Sequence, residues 1–274
     1  MIHFTPTLGI KETAKNANHF IKDNMHVFWD IFKPFIPYII IFTILDVIVT
    51  ELFMPLNPQT GKKFEFPVGG FVVAYFLTCL AVTWHRVVIH GADNYVPMDP
   101  FKPKKSELAF VGMGIALFLG LFAGGFILGM LAALITPILI VLVVPFLIYA
   151  AYAWTKVMFY FPAKATGQHV TLKQSYKMTT GYVWKMIAAS FVGYFKLFLI
   201  MMAYIIVGVT VLASLAYAAG KLGIHDQSAA IILQSIYMIP LVAFFQPLFT
   251  VIWVTVLSNY YQYVLQHEAP VTND

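Results

Sequence analysis

Asp46 and Lys196 are the residues whose type and placement could do chemistry. Asp46 lies about twelve residues into the apolar stretch 34–53, and Lys196 about ten residues into another, 187–219. Charge at the centre of such a stretch is costly, roughly 2.5–3.5 kcal/mol on insertion scales. An intramembrane ionisable residue is therefore a functional candidate by default. Both positions are reached about midway from the same side, so an Asp46–Lys196 pair is geometrically feasible. The pair would serve a proton or substrate relay. It would equally serve as a staple between two helices, or Lys196 would snorkel to the interface alone. Both readings stay open at this point. Glu51 is near the outer end of its stretch and is expected to reach headgroups.

A second group is Trp84-His85-Arg86, followed by His90 and Asp93. An aromatic followed by a cation is what a membrane boundary favours. His85 and His90 are five apart and do not share a helical face as an i,i+4 metal pair would. The other histidines (His3, His19, His26, His169, His225, His267) are scattered. There is no glycine-rich phosphate loop, nucleophile elbow or pair of carboxylates. We expect no catalytic residue, no metal site and no cofactor, and we do not expect an enzyme. An intramembrane enzyme would need Asp46, His85 and Arg86 at one depth, and their positions in the sequence set them at different depths. Arg86 suits a phospholipid headgroup, since guanidinium reads phosphate with two parallel hydrogen bonds.

The elements that must position these residues follow from composition. The 274 residues are 60% hydrophobic and 11% charged, with mean hydropathy +0.80. Globular chains carry roughly 25% charged residues, so a water-soluble globule is excluded. Apolar stretches cover 34–53, 67–89, 108–161, 187–219 and 229–265. At about 20 residues per span, 108–161 holds two helices. Their turn falls between Gly124 and Pro137, where Gly124, Gly125, Gly129 and Pro137 are the available breakers. Pro240 and Pro247 are expected kinks in the last stretch. The count is six spans, with weakly marked boundaries inside 106–161 and 229–265.

Orientation follows from the cations. Lys11, Lys15, Lys22 and Lys33 precede the first span. Arg86, Lys102, Lys104 and Lys105 follow the second, and Lys156, Lys164, Lys173, Lys177 and Lys185 follow the fourth. That is 13 of 17 on one side, against Lys62, Lys63 and Lys221 on the other. Cytoplasmic loops carry this excess, so both termini are expected in the cytoplasm. The net charge of +5 then needs no nucleic acid. The N-terminus lacks the short basic start and apolar core of a cleaved signal peptide. The lone cysteine, Cys79, makes no intrachain disulfide.

Two polar segments have helical periodicity. In 10–32, apolar residues recur at Ala14, Ala17, Phe20, Ile21, Met25, Phe28 and Phe32; in 170–186, Leu172, Ser175 or Tyr176, Thr179, Val183 and Met186 repeat the pattern, with Thr171 as N-cap. Basic amphipathic helices of this kind lie in the headgroup plane or pack on the ends of the spans. Lys173, Lys177 and Lys185 are then candidate headgroup contacts. Both segments run through a Trp, Trp29 or Trp184, straight into a span, which raises an internal repeat. Gly112, Gly120 and Gly124, with Gly125 and Gly129, have small-residue spacing and predict a third span buried in the bundle.

The opening IKETAKNANHFIKDN (10–24) is similar to the start of the YciC-type bacterial inner-membrane proteins. The segment FYFPAKATGQHVTLKQSYKMTTGYVW (159–184) and the Trp84-His85-Arg86 end of the second span resemble the same group. The wider set resembles the membrane domain attached to some glycerophosphodiester phosphodiesterases, although no phosphodiesterase domain is present. The resemblance covers the whole chain in architecture and about forty residues in detail. It implies a six-span protein of the bacterial inner membrane and supplies no catalytic residue. The expected fold is an all-α polytopic bundle: an N-terminal amphipathic helix within 1–33, then a six-span domain over 34–274 with an amphipathic helix at 170–186. The expected roles are membrane or lipid organisation, or an accessory subunit beside other membrane subunits or a second copy. The alternative is a small transporter or channel using Asp46 and Lys196, with Gln246 between the two prolines. In a Cys79→Ser background, cysteines at 62 and 104 should label from opposite sides of the membrane; labelling from one side would overturn six spans.

Overall fold

A computed structural model describes residues 4–53, 68–134, 141–221, 237 and 239–267. They form helices and, among the described residues, no strand. In chain order these are α1 (Ile10–Asp23), α2 (Met25–Phe32), α3 (Ile36–Phe53), α4 (Val68–His90), α5 (Lys105–Leu134), α6 (Val143–Lys156), α7 (Tyr160–Ala165), α8 (Leu172–Met178), α9 (Val183–Lys221) and α10 (Gln246–His267). Six helical segments are long and apolar enough to cross a membrane. This is a multi-pass, all-helical membrane protein. The 3–4 turn, with Pro137, lies outside the described residues, as do Lys62, Lys63 and the first part of the last apolar stretch.

Helices α4 and α10 form the centre. About two-thirds of each span is buried within the protein (67% and 61%), whereas none of the sampled span of α5 or α9 is. The largest buried side chains, among them Trp84, Leu80, Leu257, Tyr260, Tyr261, Phe28, Phe32, Phe159 and Met186, gather where α4, α6 and α10 end and α5 and α9 begin. Trp84 meets the edges of Phe20 and Phe28 at 6.1 and 6.3 Å between centroids. This is the end that carries most of the cations, and it is called the basic end below.

The N-terminal amphipathic segment packs rather than floats. Its apolar stripe of Ala14, Ala17, Phe20 and Ile21 is buried against α9 and α10. Alanines at the crossing let the backbones approach. The helix breaks at Asn24, whose side-chain amide donates to the Phe20 carbonyl at 2.9 Å, and α2 continues toward the span. The second amphipathic segment is shorter than expected. Thr171 caps the start of α8, as the sequence suggested, and forms a capping box with Gln174. The helix then stops at Met178, because Gly181 adopts φ +88° in the elbow to α9, a conformation that side chains with a Cβ avoid.

The glycine-bearing helix departs from expectation in a different way. Gly124, Gly125 and Gly129 lie inside α5 and do not break it. Gly112, Gly120, Gly125 and Gly129 are exposed, with nothing near the position of a Cβ. Only Gly124 marks a close approach, to the ring of Phe146 on α6. Helix α5 is therefore at the periphery, not inside the bundle.

The last apolar stretch is irregular where proline demands it. Pro240 lacks an N–H and crowds the preceding turn, and a π turn follows at Leu241–Phe245 before α10 starts. Tyr237, just before it, is clasped to α9. Its ring stacks on Tyr204 at 4.9 Å, and each hydroxyl donates to the other's carbonyl, at 2.9 and 3.1 Å. The ring occupies the space a side chain at Gly208 would need.

If α1 is part of the core, Phe20→Ala should lower stability by about 3–5 kcal/mol, the usual range for emptying a buried aromatic site. A thermal melt in detergent checks this; an unchanged midpoint would mean α1 is dispensable to the packing.

Candidate functional site

Asp46 does not pair with Lys196. Its Oδ1 accepts the backbone N–H of Gly69 at 2.8 Å, in the first turn of α4. The first N–H groups of a helix have no partner within it, and the helix dipole favours an anion there. The carboxylate is thus held by a helix terminus, not by a cation. Gly69 is needed for the contact, because a Cβ would sit 2.6 Å from both Asp46 Oδ2 and the Phe42 carbonyl oxygen. Lys196 is on an exposed face of α9. Among the described residues the ion pairs are Lys33–Asp30 and Arg86–Glu107.

Arg86 also differs from expectation. It is buried, and its guanidinium is engaged by the protein instead of a headgroup. Nε donates to the Ala165 carbonyl at 2.6 Å, Nη1 to the Val96 carbonyl at 2.9 Å and Nη2 to Glu107 Oε1 at 2.7 Å. The second carboxylate oxygen of Glu107 accepts the Lys104 backbone N–H at 2.5 Å. Glu107 was not singled out by the sequence. Its position three residues after Lys104, in the first turn of α5, was the available signal.

Several other buried polar groups tie α10 to α4, to the N-terminal segment and to the link before α8. Trp84 Nε1 donates to Thr255 Oγ1 at 2.9 Å, and His85 Nδ1 lies 2.7 Å from Ser258 Oγ. Asn259 holds Thr7 through both its amide ends: its Oδ1 accepts the Thr7 N–H at 2.9 Å and its Nδ2 donates to the Thr7 carbonyl at 2.8 Å. Tyr261 donates to Gln168. By distance, His85–Ser258 resembles a base–nucleophile pair. Both residues are sealed, at 1% and 0% exposure, so the contact staples two helices. Sequence reasoning passed over Thr255, Ser258 and Asn259, although a run of small polar residues inside an apolar stretch was visible.

Among the described residues no three His, Cys, Asp or Glu side chains lie close enough to share a metal ion. A cleft of about 410 Å³ opens beside the 91–104 loop, with Asp30, Phe35, Tyr38, Tyr95 and Phe101 in its walls. Burial, with the Asp30 carboxylate behind it, pushes the Tyr95 hydroxyl above its ordinary range. Asp30 is already paired with Lys33 at 2.6 Å. Lys173, Lys177 and Lys185 are exposed around α8 and the start of α9, where nothing in the protein prevents contact with headgroups. Gln246 is exposed, and its carbonyl accepts from Thr250 at 2.9 Å.

No protein-family model matches the chain, and neither curated proteins nor solved structures show a significant match to it.

Removing one partner of the buried ion pair should be severe. Arg86→Leu or Glu107→Leu is expected to cost about 3–5 kcal/mol, because the partner is left charged and dry. Changing both to leucine should cost less than the two single changes added together. Urea or thermal unfolding of all three variants measures this; strict additivity would mean that the two groups do not depend on each other.

Proposed function

We propose that this chain is a non-enzymatic protein of the bacterial inner membrane, a relative of the YciC-type group, that organises lipid at the cytoplasmic surface. The observation that carries the reading is the division of labour among its cations. Arg86 is consumed by internal bonds, while Lys173, Lys177 and Lys185 stand exposed on α8 and the start of α9. An excess of Lys and Arg marks the cytoplasmic side, which puts the basic end and both termini there. Each lysine near an anionic leaflet contributes about 1 kcal/mol of attraction.

A second reading, an accessory subunit or homo-oligomer, is favoured by α5, where Gly112, Gly120, Gly125 and Gly129 are exposed with no described residue near the position of a Cβ. Transport through Asp46 and Lys196 has less support, since the carboxylate is engaged by Gly69 N–H and the lysine faces outward.

The test is lipid enrichment around the protein in mixed phosphatidylcholine and phosphatidylglycerol vesicles, followed by energy transfer to labelled lipid. The triple variant Lys173→Gln, Lys177→Gln, Lys185→Gln should lose most of the phosphatidylglycerol enrichment, and added salt should do the same to the native protein. Undiminished enrichment in the variant would overturn the lipid reading. A proton-driven solute flux abolished by Asp46→Asn would replace it with transport.

A further inference from the structure

The end of α6 holds a cation that no described carboxylate neutralises. Lys156 is 4% exposed. Its ammonium donates to Thr180 Oγ1 at 2.8 Å and stands 4.4 Å above the Tyr176 ring and 5.8 Å from the Tyr152 ring. Among the described residues no ion pair includes it. The sequence explains why: from 108 to 225 there are seven lysines and not one aspartate or glutamate. A charged group this far out of water is ordinarily paired. One hydroxyl and two ring faces partly offset the desolvation, but they supply no negative charge.

The surroundings are built, not incidental. Thr179 Oγ1 donates to the Lys156 carbonyl at 2.8 Å, fixing the elbow to the end of α6. Thr180, exposed above the ammonium, donates in turn to the Tyr176 carbonyl at 3.2 Å. Gly181, with φ +88°, brings α9 back over the same spot. Trp184 is 60% exposed and lies 5.8 Å from the Tyr152 ring, while Lys177 and Lys185 flank the elbow on its solvent side. Exposed Trp beside Tyr is what a lipid–water interface selects.

We propose that the α6–α8–α9 elbow is a specific site for the phosphate of an anionic phospholipid. Lys156 supplies the charge from below, Thr180 a hydroxyl that turns from the Tyr176 carbonyl to the phosphate, and Lys177 or Lys185 the second cation, while Trp184 and Tyr152 lie beside the acyl chains. This deepens the lipid-organising reading by naming a lipid class and a place. It rests on that reading, but its failure is separable, because the exposed lysines can enrich anionic lipid without any site around Lys156.

Native mass spectrometry of the detergent-purified full chain, with melting points in the presence of added lipid, provides the test. Phosphatidylglycerol should survive delipidation and raise the melting point, while phosphatidylcholine should do neither. Lys156→Met should weaken retention about fivefold, the size of one lysine–anion contact at a membrane surface. Lys156→Arg should keep retention. Thr180→Val, which leaves the packing intact, should reduce it, and Lys196→Met should leave it unchanged. Retention by Lys156→Met and Thr180→Val equal to the native level would overturn the site, even if the exposed lysines still enrich the lipid. Equal stabilisation by inorganic phosphate would overturn the lipid as its occupant. If Lys156→Met does not fold, the Arg and Val variants decide: full retention in the Val variant, or lost retention in the Arg variant, overturns the site.

Discussion

A guanidinium drawn out of water must find an acceptor for each donor it buries, and Arg86 meets that demand from three other parts of the chain. It sits on α4, and its partners are the 91–104 loop at Val96, the first turn of α5 at Glu107 and the end of α7 at Ala165. Because guanidinium is planar and its donors point in fixed directions, these three elements are held in fixed relation to α4. The start of α5 and the end of α7 are both tied to α4 through this one side chain. The desolvation of two charges is offset only because the second oxygen of Glu107 is also bonded, to the Lys104 N–H.

Around that clamp the molecule divides by solvent. At the basic end, near water, apolar side chains have a reason to leave solution, and aromatic packing is dense there. Within the lipid that drive vanishes, since the surrounding tails are as apolar as leucine. What joins helices in that zone is polar or sterically specific: Asp46 on Gly69, the Tyr204–Tyr237 clasp, and the Gly124–Phe146 approach. Helix α9 shows the scale of the division. At 39 residues it is about 58 Å long, roughly twice the hydrocarbon layer. Its first turns are buried through Met186, Ala189 and Ser190, and exposed positions predominate beyond Gly193.

Residue patterns in the sequence revealed the helices better than the contacts. Six spans, the N-cap at Thr171 and the irregularity at Pro240 were legible, because each depends on local composition or on one residue's covalent constraint. The buried stripe of α1 was legible as a pattern, although periodicity alone does not say whether lipid or protein covers it. Charge complementarity made an Asp46–Lys196 pair one of the open readings, but it does not reveal the competitor that holds Asp46, the free N–H of a helix terminus. Arg86 was misjudged for a related reason. An arginine at a span end suits phosphate as well as backbone carbonyls, and its carbonyl partners, Val96 and Ala165, carry no signature in residue type. Glycines misled in the opposite direction, since small-residue spacing permits close packing without requiring a neighbour.

The π turn at Leu241–Phe245 has a geometric effect that reaches beyond its five residues. Its wider loop takes up one residue more than an α turn, so everything after it is rotated by about 100° relative to an uninterrupted helix. Tyr237 faces α9 on one side of this offset, while Thr255, Ser258 and Asn259 face α4 and the N-terminal segment on the other. Without the offset, a single helical face would have to serve both sets of neighbours. The interruption at Pro240 is therefore a change of phase, which turns α10 so that its polar residues meet α4 and the N-terminal segment while it still packs on α9.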